Sequence, residues 1–103
     1  MSENNHSKKI LQAIEKVEHP SIATSLQDLG MLRGIEINDD GNTVLTLVLP
    51  FPNIPENIRS YMVNSLAMAV QAEGGKLEKV NSAIMNERER QMFLMKEQQN
   101  WRG

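Results

Sequence analysis

The sequence predicts a two-layer α+β fold, in which helices pack on one face of a small mixed three-stranded sheet in the order helix, strand, strand, helix, strand, helix. Three observations carry this prediction. Apolar residues recur at three- and four-residue spacing over residues 10–17 and 54–70, as amphipathic helices require. They alternate singly over residues 31–37 and 43–49, the period of a strand. Between those two stretches lies Asn38-Asp39-Asp40-Gly41-Asn42, where Asp and Asn tolerate left-handed backbone and Gly prefers it, so the connection is a hairpin turn. A hairpin set apart from the helices distinguishes α+β from a strictly alternating arrangement.

The first six residues carry nothing to bury and are expected to fray, with order beginning near Ser7, a good N-cap type. Ile10, Leu11, Ile14 and Val17 then form the stripe of the first helix, which Pro20 closes. Residues 21–29 form a connector with a short helical turn, its Ile22, Leu26 and Leu29 covering the edge of the core, and Gly30 ends it. In the second strand Leu45, Leu47 and Leu49 share one face and Val44, Thr46 and Val48 the other. Both faces are therefore expected to be at least partly covered, as in a central strand or a sheet face used in oligomerisation.

Pro50, Pro52 and Pro55 make a stiff loop, after which Asn53 and Glu56 read as a capping pair for a second helix. The stripe of that helix is Ile54, Ile58, Tyr61, Met62, Leu66, Ala69 and Val70, and Gly74-Gly75 stops it. Residues 77–85 are expected to be a third strand with Val80 and Ile84 in the core. Residues 87–103 form a charged tail, helical to Trp101 and laid on the domain, with Met92, Phe93, Met95 and Trp101 as anchors. The whole chain, 1–103, reads as one domain.

Composition narrows the chemistry. Eleven Lys and Arg against thirteen Asp and Glu give a net charge of -2, which lacks the basic footprint of a nucleic-acid binder. The apolar run at residues 44–51 is far short of the roughly 20 residues that span a bilayer. The polar start lacks the apolar block of a secretory signal, so a cytoplasmic location is expected. The sequence contains no cysteine, and hence no disulfide, no thiolate nucleophile and no thiolate ligand for zinc or an iron-sulfur cluster. Only His6 and His19 offer an imidazole, neither in an H-E-x-x-H arrangement, and no serine sits in a nucleophile elbow. No general acid-base pair is visible, so an enzyme is not expected.

Four places remain as candidates. His19 precedes Pro20 at a helix exit, where the ring serves either as a cap on free carbonyls or as a site group. Asp28, before Leu29-Gly30, is either a turn acid or part of the same surface. The proline loop either stiffens the chain or delivers Asn53 and the amides of the next helix to one spot, a natural anion or ligand site. Arg88 and Arg90 in the tail read as a solvated face.

Val17-Glu18-His19-Pro20-Ser21, then Asp28-Leu29-Gly30-Met31, then Thr43-Val44-Leu45-Thr46-Leu47-Val48-Leu49-Pro50 together resemble a known family. It is the small iron-sulfur cluster assembly domain of SufT and PaaD-like proteins, also found as the N-terminal domain of Mrp/ApbC-type P-loop ATPases. The resemblance covers residues 8–86. Its pattern is Val-x-Asp-Pro-Glu, Asp-Leu-Gly before the first strand, and a Thr- and Leu-rich strand running into a proline loop with a cysteine. Here His19 stands for the Asp, Ser21 for the Glu, and the cysteine position falls among Phe51, Pro52 and Asn53. A His-Pro at that place looks like the ATPase-fused version, and a tail ending at 103 looks like its stand-alone counterpart.

The resemblance implies a non-enzymatic accessory or adaptor protein of iron-sulfur cluster assembly. Its docking surface would carry His19, Pro20, Asp28, Gly30 and Asn53, and its partner would be an Mrp-type ATPase or a client apoprotein. No cofactor is expected on this chain alone; a cluster would need a partner's ligands. A homodimer is a further expectation, from the two apolar faces of the second strand and from Phe93 and Trp101. The alternative is a small RNA- or ligand-binding α/β module, since the element order is similar to KH-type topology, though the Gly-x-x-Gly loop and positive charge are absent.

Overall fold

The computed structural model describes residues 2–101, with side chains from His6 onward. Its elements are α1 (Ser2–Glu15), β1 (Leu32–Ile37), β2 (Asn42–Leu49), α2 (Glu56–Ala72), β3 (Lys76–Ile84) and α3 (Glu87–Asn100). The fold is α+β and the order is the expected one. In the sheet order β1-β2-β3, β2 pairs antiparallel with β1 and parallel with β3, so β2 is central as expected; its Leu45, Leu47 and Leu49 face is buried, whereas Val44 and Thr46 on the other face are half-buried. The first two helices pack on each other, α1 also against β1 and α2 against β3. Between them and the sheet lies a core containing Ile10, Ile14, Leu45, Leu47, Met62, Leu66 and Val70, all fully buried.

The hairpin turn works as its residues dictate. Asn38 Oδ1 accepts from the Asp40 and Asn42 amides at 3.0 and 2.9 Å, and Gly41 has φ 86°. At its far end α2 closes in a Schellman motif, with Gly75 N–H donating to Val70 O and Gly74 N–H to Gln71 O. Gly75 then passes so close to the hairpin that an added Cβ would lie 2.6 Å from Gly41 O, 2.8 Å from Ile10 Cδ1 and 2.9 Å from Val70 Cγ1. Only glycine lets the turn, α1 and the start of β3 meet there.

Several local expectations are corrected. Helix α1 starts at Ser2, ahead of Ser7, and His6 holds it by donating from Nε2 to Glu73 O at 3.0 Å, a partner 67 residues away that no local pattern reveals. Met1, Arg102, Gly103 and the side chains of residues 2–5 lie outside the described residues, and with them most of the expectation of a frayed start. The helix ends at Glu15, ahead of Pro20, because the next residues are drawn into an extended pairing: Glu18 bridges Ser25, and Leu26 N–H donates to Val17 O at 2.8 Å.

Asn53 does not cap α2. Pro55 occupies the N-cap position at φ -57°, and no side chain satisfies the first turn. The capping box lies instead at α3, where Asn86 Oδ1 accepts from Glu89 N–H and Glu89 Oε1 from Asn86 N–H, at 2.8 and 2.9 Å. Tyr61 is 54% exposed and Ile84 is 46% exposed, so neither belongs to the core. Tyr61 lies at the margin of the α2 stripe, and Ile84 ends an edge strand; the core takes Met85 in place of Ile84. The connector behaves as expected, with Ile22, Leu26 and Leu29 buried.

Candidate functional site

One end of the sheet gathers the segments that the sequence singled out. Because β1 runs antiparallel and β3 parallel to β2, the entry to β1 and the exits of β2 and β3 fall at the same end. Met31, Pro50 and Met85 therefore sit side by side, joined by Val48 N–H to Met31 O at 2.7 Å and Met85 N–H to Leu49 O at 2.8 Å. Connector 16–30 and the proline loop flank this end, and α3 lies across them rather than on the sheet face with α1 and α2.

Beneath α3 is a cavity of about 260 Å³. Its floor is Met31, Ile58 and Met62, one wall is Pro50, Phe51, Ile54 and Pro55, and α3 supplies Phe93, Glu97 and Trp101. His19 and Ser21 bring polar atoms to its rim. The tight turn over Pro20 fixes the imidazole: Ser21 N–H donates to His19 Nδ1 at 3.0 Å. Because Nδ1 accepts there, the proton of the neutral ring resides on Nε2. The ring thus braces a turn four residues beyond the end of α1 and does not cap that helix.

Asp28 and Gly30 lie on the other flank of α3, with Leu29, Arg88, Glu89, Met92 and Lys96. Asp28 Oδ2 accepts from Thr24 Oγ1 at 2.8 Å, and Asp28 Oδ1 pairs with Lys96 Nζ at 2.7 Å. These bonds, the one from Lys96 first, hold its carboxyl below the usual carboxylate range. Gly30, at φ 75°, turns the connector into β1. Asn53 is exposed on the proline loop and lines neither recess. The structure thus brings all five residues to one end of the molecule but distributes them over two flanks and a loop tip.

The tail carries buried contacts that its charged, polar sequence does not announce. Arg90, which the charge pattern puts on a solvated face, is half-buried: Nε donates to Pro50 O at 2.9 Å, NH2 to Met85 O at 3.2 Å, and the guanidinium lies 5.6 Å from the Phe51 ring centroid. Glu97 and Trp101 on the cavity were likewise invisible as site groups. The available signal was the Asn86-x-x-Glu89 spacing, which fixes where α3 begins. Among the described residues no three His, Asp or Glu side chains are grouped to hold a metal ion, and the sequence supplies no cysteine.

Comparison with known proteins adds the deciding observation: residues 7–81 match the family of iron-sulfur cluster assembly proteins. The chain belongs to this family. It is also 34% identical over 64 residues to an uncharacterized protein of Methanocaldococcus jannaschii, a match covering 62% of this chain and 59% of that protein. The matched stretch therefore spans less than two thirds of that relative. Its fold is similar to that in a crystal structure of a domain of unknown function, DUF59, from Bacillus anthracis, with a TM-score of 0.53 at 20% identity over 82% of this chain and 78% of that one. The family match takes in α1 from Ser7, the connector, the hairpin, the proline loop and α2, and it stops within β3. Helix α3 lies beyond it. Among the described residues no helix is long and apolar enough to cross a membrane.

Proposed function

We propose that this member of the iron-sulfur cluster assembly family is a non-enzymatic accessory factor that docks to an Mrp-type ATPase or to a client apoprotein. The single observation that carries the reading is a family match over residues 7–81 in a chain with no cysteine at all. A cluster or its iron is cargo in such a pathway, and soft thiolate ligands are what retain it. A chain without them contributes by binding proteins, and any cluster it handles is held by ligands of the partner. The end of the sheet with His19, Pro20, Asp28, Gly30 and Asn53 is the docking surface in this reading. It combines an apolar recess with polar groups at its rim, the composition of a small recognition site.

The test is a full-length tagged chain expressed at native level, cross-linked in cells and purified, with its partners identified by mass spectrometry. Recovery of a cluster-assembly ATPase or an iron-sulfur apoprotein is expected. In parallel, deletion of the gene is expected to lower the activity of iron-sulfur enzymes at unchanged protein level. Normal activity of those enzymes together with no such partner would overturn the proposal.

A further inference from the structure

We infer that α3 is an autoinhibitory clasp, closed in this structure over the cavity at the motif-bearing end of the sheet, and that a partner gains the cavity when the clasp swings away. The inference rests on the docking role proposed above for the surface beneath it.

Three observations support a clasp rather than a structural helix. First, the family match ends at residue 81 and α3 begins at Glu87, so the covering element lies outside the matched stretch. Second, α3 attaches to the segments that carry the family motifs. Lys96 takes Asp28, Asn100 O accepts from Ala23 N–H at 2.8 Å, Trp101 bridges Ile22, and Arg90 holds Pro50 O. Third, the attachment is shallow. Phe93, which joins the hydrophobic core, is the one buried residue of α3, while Met92, Leu94, Met95 and Trp101 stay exposed in the closed state.

The contacts divide into a hinge and a latch. At the N-terminal end the Asn86–Glu89 capping box, Arg90 and the Arg33–Glu89 pair fix the start of the helix. At the C-terminal end the latch is Lys96–Asp28 and the Ala23–Asn100 bond, both on the connector. The Lys96–Asp28 pair is exposed and therefore weak, so the latch can yield before the core does. Opening removes Phe93, Glu97 and Trp101 from the cavity and bares Met31, Ile58 and Met62, an apolar floor suited to a partner's side chains.

Native-state amide exchange on the full chain tests this directly. The amides of residues 91–100 are expected to exchange at least tenfold faster than those of residues 45–49 in β2, and Lys96→Glu, which sets two carboxylates together, is expected to accelerate the former and leave the latter unchanged. Phe93→Ala is the second variant and has the same expected pattern. Because Asp28 and Lys96 are in contact, carbodiimide can join their side chains and lock the helix down; the locked protein is expected to capture at least fivefold less of the partner found in the cross-linking experiment, and Lys96→Glu more. If α3 and β2 exchange together in all forms, the helix is part of the core and the clasp is refuted. If α3 opens alone but locking leaves capture unchanged, autoinhibition is refuted while the docking role stands. If no partner is captured by any form, the docking role fails, and with it the autoinhibition.

Discussion

The two sides of the sheet's helix layer and the end of the sheet under α3 are held by different physics. Under α1 and α2 the contacts are continuous and apolar: Ile10, Ile14, Leu45, Leu47, Met62, Leu66 and Val70 are completely buried. From α3 one phenylalanine is buried, and the other attachments are hydrogen bonds, exposed ion pairs and the Arg90 guanidinium against the Phe51 ring. Apolar burial does not distinguish partners and is hard to undo piecemeal, whereas ion pairs and single hydrogen bonds exchange readily with water or another protein. Stability is concentrated in the first region and replaceable contacts in the second.

Substitutions rank this contrast. Leu66→Ala, in the fully buried stripe of α2, is expected to cost about 2–5 kcal/mol in chemical denaturation. A cost below about 1 kcal/mol would show that the layer is loosely packed. Gly75→Ala is expected to cost about 1–3 kcal/mol, because its methyl meets the backbone oxygen of Gly41, which has no rotamer to escape into. An unchanged melting temperature would mean that hairpin and crossover do not meet as described. Asn86→Ala removes the α3 cap and is expected to cost that helix about 0.5–2 kcal/mol, seen as faster amide exchange in α3 with β2 unaffected. Equal acceleration in both would erase the distinction between the two regions.

The smallest effect belongs to Asp28. Its folded-state pKa lies below the ordinary value of 3.8, so its contribution is present at neutral pH and disappears as acid protonates it. As an exposed pair it is worth at most about 1 kcal/mol. Urea denaturation at pH 7 and pH 3 is expected to show a slightly smaller loss of stability for Asp28→Asn than for the parent; identical losses would remove Asp28 from the latch.

The sequence was most legible where the signal is local. Alternation placed β1 and β2, turn residues placed the hairpin, and the doubly apolar β2 foretold its central position. Where partners are distant, legibility failed. The start of α1 depends on His6 reaching Glu73, and the exposure of Ile84 depends on β3 lying at an edge. Asn53 and Glu56 had the spacing of a capping pair, but Pro55 takes the N-cap position itself. The family motifs could be read in order, yet the cavity draws on four separate segments. Its α3 wall depends on Arg90 reaching Pro50 O, a partner 40 residues away that no local pattern reveals.

The parallel pairing of β3 with β2 also dictates a timetable. The β1–β2 hairpin closes over a few residues and can form in microseconds, but β3 cannot join until the intervening α2 crossover has folded back on the sheet. Residues 76–84 are therefore expected to join the sheet last, leaving the β2 edge of the nascent hairpin bare until they do. That interval, rather than the finished structure, is when this chain is most exposed to pairing with the wrong strand.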